Sequence, residues 1–220
     1  MDTASPEHKK IILASGSPRR IEILKSAGLP FDVLPSRVLE DSPTKGESPT
    51  HYVERLACGK VADVRKQLSE GLIIGADTIV ELDGEILGKP KSADEATEML
   101  VRLRNRVHQV ITGVAISENK RNDYLTTTTI SEVYMRDYTN LEIANYINSR
   151  EPFDKAGAYG VQDLNFSPAQ NVTGCYLNVV GLPLCEVIGL FHNVGITSSL
   201  MPESQLAKQC SRCSCILEME

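Results

Sequence analysis

The chain has 220 residues, of which 41% are hydrophobic and 24% are charged, and its formal net charge is −6 at pH 7. This composition is ordinary for a globular protein, and the length allows one large domain with a sizeable core or two small ones. The acidic balance and the aromatic content of 5% argue against nucleic acid as a partner. No apolar run reaches the length of a membrane span, so we expect no membrane partner.

The stretch IILASGSPRR passes from an apolar run, which predicts a buried strand, to a helix. Ser17 suits the N-cap of that helix, and Pro18 suits its first position. Ser15, Arg19 and Arg20 therefore lie where free backbone N–H groups and the helix dipole favour an anion. Because guanidinium groups match phosphate oxygens, the stretch predicts a phosphate site. The alternative is a basic helix start with no ligand.

The next elements carry charged residues whose roles the sequence leaves open. A second strand is predicted over residues 31–34, and the loop that follows contains Glu40. A long amphipathic helix is predicted from Pro49 to about residue 68, with Lys60 among its apolar positions. A loop carboxylate is usually only solvated, and such a lysine usually extends its ammonium group to solvent.

A third apolar strand, residues 72–76, is predicted to end at Asp77 and Thr78. An acid at the carboxyl end of a buried strand occupies a frequent position for catalytic groups in α/β proteins. Residues 79–87 then predict a hairpin with an Asp-Gly turn, which is followed by a restrained basic turn at Lys89.

The second half of the chain predicts more strands and helices and one loop rich in functional side chains. That loop, residues 151–162, contains Asp154, Lys155 and Gln162. The predicted elements around it are a helix at 92–103 with a capping box at its start, paired strands at 107–116 and 125–138, a capped helix at 139–149, a strand at 178–183 and a helix at 184–194.

The charged side chains at the ends of these elements suit a magnesium–triphosphate ligand. Carboxylates hold Mg²⁺, and cations hold phosphate oxygens. Spacing alone does not show that the groups converge. The cations are Arg19, Arg20, Lys60, Lys89 and Lys155, and the carboxylates are Glu40, Asp77 and Asp154.

Six motifs in order give the chain a family resemblance: LASGSPRR at 13–20, GADTIV at 75–80, GKP at 88–90, HQVITGVA at 108–115, DKAGAYGVQ at 154–162 and NVVGLP at 178–183. Over about residues 9 to 194 it resembles the Maf family of nucleotide pyrophosphatases. It is also similar to the Maf-like domain of animal proteins in which that domain is fused to a methyltransferase-like domain. The resemblance implies an α/β fold with an elongated mixed β-sheet in two lobes around a central cleft, similar to the inosine-triphosphate pyrophosphatases.

The resemblance also implies an activity, a cofactor and an assembly. Such proteins hydrolyse nucleoside triphosphates to the monophosphate and pyrophosphate, need a divalent metal such as Mg²⁺ or Mn²⁺, and are typically homodimers. Carried over by position, the catalytic residues are Asp77, Glu40 and Lys89, and the metal ligands are Asp77 and Glu40. The substrate-binding residues are Ser15, Ser17, Arg19, Arg20, Lys60, Thr78, Lys155 and Gln162.

The motifs narrow the expected substrate to dTTP and UTP. Thr78 after Asp77, together with Gln162, matches the subfamily that acts on these nucleotides, so we expect Arg19, Thr78 and Gln162 to select the substrate. Residues 163–176 and Asn105 depart from the family pattern near the expected base pocket. The alternatives are a pyrophosphatase for a purine or for a modified nucleotide such as 7-methyl-GTP, and a nucleotide-binding regulator of cell division with little turnover.

The expected organisation is a single domain over residues 9–195 with flexible tails at 1–8 and 196–220. The polar N-terminus lacks the apolar core of a signal peptide, so we expect a cytoplasmic protein. Cys210, Cys213 and Cys215 in the C-terminal tail form a weak zinc motif, and a frayed tail is the favoured interpretation.

Overall fold

A seven-stranded mixed sheet runs through the protein in a computed structural model that describes residues 9–28, 30–118 and 123–196. The strand order is β2-β1-β3-β5-β6-β7, with β4 paired to β3. The strands are β1 Ile11–Leu13, β2 Phe31–Val33, β3 Leu72–Leu82, β4 Glu85–Leu87, β5 Val107–Glu118, β6 Leu125–Met135 and β7 Ala169–Thr173. The helices are α1 Pro18–Ser26, α2 Pro49–Arg65, α3 Ala93–Leu103, α4 Asn140–Asn148, α5 Tyr176–Val180 and α6 Leu184–Asn193, with short 3₁₀ turns at Glu151–Asp154 and Ala156–Ala158.

The sheet has a parallel part and an antiparallel part. Strand β1 lies parallel to β2 and β3, which requires the crossover helices α1 and α2. Strands β3, β5, β6 and β7 are antiparallel neighbours. Apolar side chains cover the sheet in separate clusters, one with α1 and α6, one with α2, and one with α3 and α4. This architecture confirms the predicted mixed α/β class.

Strand β3 is continuous, which corrects the prediction that a strand ends at Asp77. Its ladder with β5 extends from the pair Leu72–Glu118 to the pair Glu81–Gln109, and this long partner keeps β3 extended through Asp77. On its other edge, β1 pairs with residues 72–74 and β4 with residues 80–82. Among the described strands, none pairs with that edge over residues 75–79. The gap between β1 and β4 leaves the middle of β3 open.

Two glycines allow helix α2 to lie directly on the sheet. A Cβ atom on Gly113 would come within 2.7 Å of the Val53 backbone, and one on Gly75 within 2.5 Å of the Ala57 carbonyl oxygen. Gly113 is also the β5 partner of Asp77 in the ladder. Since only a hydrogen atom fits at both places, α2 can bring Lys60 close to Asp77.

Most predicted local signals are confirmed. The β3–β4 hairpin turns at Asp83 and Gly84, both with positive φ. Helix α1 begins after Ser17 with Pro18 at its start, and Thr139 forms a full capping box with Glu142. The predicted box at Ser92 is only half made. The Ser92 hydroxyl accepts from the backbone N–H of Glu95, but the Glu95 carboxylate accepts from Lys91.

One predicted strand is wrong and another was missed. Part of the segment NVVGLP forms the helix α5, because Leu177 and Val180 bury one side at helical spacing and the Cys175 thiol caps the first turn. Gly181, with φ of 126°, ends this helix. The last strand lies earlier, at Ala169–Thr173, and pairs with β6.

The expectations for the tails fall on residues that the structure leaves undescribed. Residues 1–8 and 197–220, including the cysteine motif, lie outside the described ranges. Within those ranges, no helix combines the length and the apolar character needed to cross a membrane.

Candidate active site

A cavity of about 560 Å³ opens at the gap in the edge of β3, and a second cavity of about 340 Å³ shares part of its wall. Every site residue predicted from the sequence lines at least one of them. Ser15 lines the smaller cavity, and the larger one is lined by Ser17, Arg19, Arg20, Glu40, Lys60, Asp77, Thr78, Lys89, Lys155 and Gln162. The fold therefore brings together the charged side chains whose convergence could not be shown from their spacing along the sequence.

Lys60 joins the two carboxylates that were predicted to be catalytic. Its Nζ atom lies 2.5 Å from Asp77 Oδ1 and 2.8 Å from Glu40 Oε1. The side chains of Lys60 and Asp77 are only 10% and 8% exposed. The default expectation that Lys60 extends to solvent is wrong, because helix α2 lies so close to the sheet that the ammonium group meets Asp77 within the cleft.

Glu40 connects this buried pair to the mouth of the cleft. Lys89 Nζ lies 3.5 Å from Glu40 Oε2 on the side opposite Lys60. Burial by itself raises the pKa of Glu40, but the charges and hydrogen bonds of Lys60 and Lys89 outweigh burial and hold that pKa below its ordinary value. Glu40 is therefore an ionised carboxylate at neutral pH, with a cation on each side.

The turn between β1 and α1 places two arginines in different surroundings. Arg19 extends across the cleft, where its guanidinium lies 3.1 Å from Asp154 Oδ2. Arg20 turns inward and donates to the Gly181 carbonyl at 2.8 Å and to Thr78 Oγ1 at 3.0 Å. Burial lowers the pKa of Arg20, with the negative charges of Asp77 and Glu40 opposing that change.

The serines and Lys155 complete the polar wall. The Ser15 hydroxyl accepts from the Ser17 backbone N–H at 3.2 Å and stiffens the turn, while the Ser17 side chain makes no capping bond. Lys155 pairs with Asp154 at 2.8 Å and with Glu151 at 2.9 Å. Lys155 therefore reaches the cavity with its charge already matched by carboxylates.

The cavity wall also contains apolar and aromatic side chains, and sequence reasoning identified only Gln162 beside them. Tyr159 lies there, and its hydroxyl is 2.7 Å from His108 Nε2. Burial lowers the pKa of His108 to about 4, so this imidazole is neutral at pH 7. The only sequence signal for Tyr159 was its place in the motif that ends at Gln162. The apolar lining residues include Leu56, Ile79, Val80, Ile86, Val110, Val161, Val179 and Val180.

The donor set at Asp77 and Glu40 fits a hard divalent cation. Both supply carboxylate oxygens, and both already bind one cationic group, the Lys60 ammonium. Among the described residues, no group of three or more His, Cys, Asp or Glu side chains could hold a metal by itself. A Mg²⁺ ion bound through one or two carboxylates and substrate phosphates needs no larger protein cage.

Known proteins are similar to this chain over most of its length. The sequence matches the family described as Maf-like protein over residues 10–194. A dTTP/UTP pyrophosphatase of Citrifermentans bemidjiense is 45% identical over 190 residues, which cover 86% of this chain and 97% of that protein. The dTTP/UTP pyrophosphatase of Dictyoglomus turgidum is 44% identical over 85% of this chain and 97% of its own length. That of Dehalococcoides mccartyi is 42% identical over 93% of this chain and 91% of its own length.

Proposed function

This chain belongs to the Maf-like protein family, and from that membership we propose that it hydrolyses dTTP and UTP to the nucleoside monophosphate and pyrophosphate. The observation that carries the proposal is the meeting of Asp77, Glu40 and Lys60 at the open edge of β3, beside a turn suited to phosphate. Carboxylates and cations in one cleft are the groups that phosphoryl transfer requires.

The charged part of the cavity binds the triphosphate. Arg19 and Lys89 each pair with a carboxylate of the protein at the mouth of the cleft, so phosphate oxygens can replace those partners with little movement. Backbone N–H groups at the start of α1 add to this attraction. These groups together neutralise the pyrophosphate that leaves.

Asp77 and Glu40 are the residues that would hold the divalent cation, Mg²⁺ or Mn²⁺. When bound, such an ion polarises phosphate oxygens and lowers the pKa of a water molecule. Asp77 accepts the proton of the water that attacks the α-phosphorus, and Lys60, 2.5 Å from its carboxylate, keeps that carboxylate oriented. Lys60 also lies in the cleft as a cation that can follow the charge developing on the phosphates.

The apolar lining residues of the cavity receive the nucleoside. The Gln162 amide offers both a donor and an acceptor, which match the alternating groups on the edge of thymine or uracil. Both bases are uncharged, so no acidic side chain is needed to read them. Val110 and Val179 provide the apolar surface against which the base and sugar pack.

The direct test is pyrophosphate release by the purified protein with Mg²⁺ or Mn²⁺ from dTTP, UTP, CTP, dATP, GTP and 7-methyl-GTP. We expect turnover of dTTP and UTP, with little from the other four. A preference for a purine or for 7-methyl-GTP would overturn the assignment of the base. Nucleotide binding without any turnover would instead indicate the regulator considered from the sequence.

Three further properties belong to the proposal. Removal of divalent ions with a chelator should abolish turnover, and Mg²⁺ or Mn²⁺ should restore it. Activity in the presence of the chelator would refute the metal requirement.

The family resemblance supports a homodimer, for which light scattering should give twice the mass of one chain. We also propose that the enzyme acts in the cytoplasm, where fractionation should find it.

A further inference from the structure

We propose that Arg55 is a positioning residue for Glu40, because it holds the segment that carries Glu40 against helix α2. This inference rests on the proposed function, since Glu40 is one of the two carboxylates assigned to the divalent cation. Arg55 belongs to none of the six motifs, and its side chain lines neither cavity. The evidence is a set of bonds that reach the chain on both sides of Glu40.

The segment that carries Glu40 has no regular structure of its own. Residues 34–48, here called the Glu40 loop, connect β2 to α2 without a helix or a strand. Beside Glu40, the side chain of Leu39 is 90% exposed, so apolar packing does not hold this part of the loop. The Glu40 carboxylate can therefore keep a fixed distance from Asp77 only if other bonds fix the backbone that carries it.

Arg55 fastens the chain directly after Glu40. Its Nη1 atom lies 2.8 Å from Asp41 Oδ1, and its Nε and Nη2 atoms lie 2.7 Å and 2.9 Å from the two carboxylate oxygens of Glu47. One guanidinium thus binds two carboxylates of the Glu40 loop. The hydrogen bond from Arg55 is the main cause that lowers the pKa of Glu47 to about 2, so this carboxylate stays ionised and paired at neutral pH.

Tyr52 adds a bond to the same point from the preceding turn of α2. Its hydroxyl donates to the Asp41 backbone carbonyl at 2.8 Å. The Arg55 guanidinium lies over the Tyr52 ring, 5.4 Å from its centre, so the two side chains support each other. Asp41 is therefore held through its side chain by Arg55 and through its backbone by Tyr52.

A second anchor lies on the other side of Glu40. Asp63, further along α2, accepts from the backbone N–H of Arg37 at 2.8 Å and from the Ser36 hydroxyl at 3.0 Å. The same helix carries Lys60, whose Nζ atom lies 2.8 Å from Glu40 Oε1. Glu40 is thus held between two attachment points on one helix, and a shift of the loop relative to α2 would move its carboxylate within the cleft.

Amide hydrogen exchange and steady-state kinetics together test this inference. We would compare Arg55→Gln, which removes the charge and the forked donor group, with Arg55→Lys, which keeps the charge. The matched control is Arg106→Gln. Arg106 binds Asp83 at 2.8 Å in a similarly exposed pair, and neither residue of that pair lines a cavity.

We expect Arg55→Gln to speed amide exchange over residues 38–47 by about tenfold, because the Thr44 N–H, which donates to Glu47 at 2.9 Å, loses its fixed acceptor. With dTTP, kcat should fall by about tenfold or more, since Glu40 is no longer held in place. The KM should stay within about twofold, because the turn at the start of α1 is untouched. Arg55→Lys should recover part of the lost rate, and Arg106→Gln should match wild type in both measurements.

Two results would overturn the proposal. Unchanged exchange over residues 38–47 in a folded Arg55→Gln protein would show that Arg55 does not hold the loop. Faster exchange with wild-type kcat would show that the reaction does not depend on this attachment. Exchange needs no turnover, so a wild-type protein that hydrolyses no nucleotide would refute the proposed function, while the exchange rates would still decide whether Arg55 holds the loop.

Tyr52→Phe covers the case in which Arg55→Gln does not fold. It removes only the hydroxyl that donates to Asp41 and keeps the ring against Arg55. Exchange over residues 38–47 should rise and kcat should fall, each by a smaller factor of about threefold. Wild-type exchange or wild-type kcat in this variant would contradict the proposed attachment.

Discussion

Asp77 and Thr78 are neighbours in β3, yet they face opposite sides of the sheet and meet different chemistry. Asp77 points toward α2 and forms an ion pair with Lys60. Thr78 points toward α5 and enters a network of hydroxyl and carbonyl groups that includes Arg20. One face thus presents ionised side chains that pair with each other at the cleft. The other face presents groups whose bonds are already made and which fix the geometry.

The difference between the two faces shows that one strand can carry a charged cluster on one side and a network of completed hydrogen bonds on the other. On the α2 face, the ammonium group of Lys60 forms ion pairs with the two carboxylates, those of Glu40 and Asp77. On the α5 face, Arg20 has protein acceptors on three sides. Mutations on the first face should therefore change catalysis, and mutations on the second should change affinity or stability.

Asp77→Asn should have the largest effect. Asparagine keeps the shape of aspartate but cannot accept the proton of the attacking water, so kcat for dTTP should fall by about 10³-fold or more. Melting temperature and circular dichroism should show a folded protein. A fully active Asp77→Asn enzyme would remove Asp77 from the reaction and break the contrast between the two faces.

Gly113→Ala tests the close contact that gives the α2 face its chemistry. The added Cβ would meet the Val53 backbone at 2.7 Å, so α2 must shift and the free energy of unfolding should fall by about 1–3 kcal/mol. The same shift should move Lys60 away from Asp77 and lower kcat.

The matched control is Gly189→Ala in α6, where a Cβ would meet nothing within 4 Å. Alanine there should leave stability unchanged or raise it slightly, because it reduces the freedom of the unfolded chain. Urea denaturation of both variants measures the difference. Equal stabilities for the two would show that α2 does not depend on Gly113.

His108→Gln tests the α5 face of the sheet through the pH dependence of stability. His108 lies on the same face of β5 as Thr112, which contacts Thr78. Burial lowers the pKa of His108 to about 4 in the folded protein. As the pH falls below about 6.5, this imidazole is therefore protonated in the unfolded chain before it is protonated in the folded protein. This linkage removes up to about 3 kcal/mol of stability between pH 6.5 and the lowered pKa, and no more below it. The variant should lose that part of the acid sensitivity.

Denaturation at several pH values measures this effect against wild type. His51→Gln is the comparison variant, because it removes a histidine that is exposed on the surface of α2. Identical acid sensitivity in wild type and His108→Gln would mean that His108 is not held neutral in the folded protein.

Asp154→Asn should have the smallest effect. Asp154 pairs with Arg19 across the mouth of the cleft, and its side chain is 61% exposed. Loss of this charge frees Arg19 for phosphate, so the KM for dTTP should fall by about twofold at low salt. Steady-state kinetics at two salt concentrations tests it, since high salt should erase the difference. A higher KM in the variant would show that Asp154 assists binding.

Several charged groups of the site could be predicted from sequence because they lie beside recognisable local signals. Ser17 and Pro18 marked the start of α1, and the Asp-Gly turn marked the hairpin before Lys89. Their order along the chain and the family resemblance identified Asp77 and Glu40. The hairpin, the capped helices and the mixed α/β class followed from the same kinds of signal.

The remainder depends on contacts between distant segments, which local patterns do not contain. Strand β3 continues past Asp77 because β5 pairs with it throughout, and Lys60 is buried because Gly75 and Gly113 admit α2. The sequence around Arg20 predicts a phosphate ligand. Its hydrogen bond to the Gly181 carbonyl could not be predicted, because Gly181 lies 161 positions away. The segment before Gly181 looked like a strand because its valines suit either structure.

The most direct test of the account is hydrolysis of dTTP in water enriched in ¹⁸O, with the products resolved by ³¹P NMR. If Asp77 directs water to the α-phosphorus while the cations hold pyrophosphate as the leaving group, the label will appear in dTMP and the pyrophosphate will remain unlabelled. Label in pyrophosphate, or release of labelled inorganic phosphate with dTDP, would contradict the proposed placement of the triphosphate in the cleft.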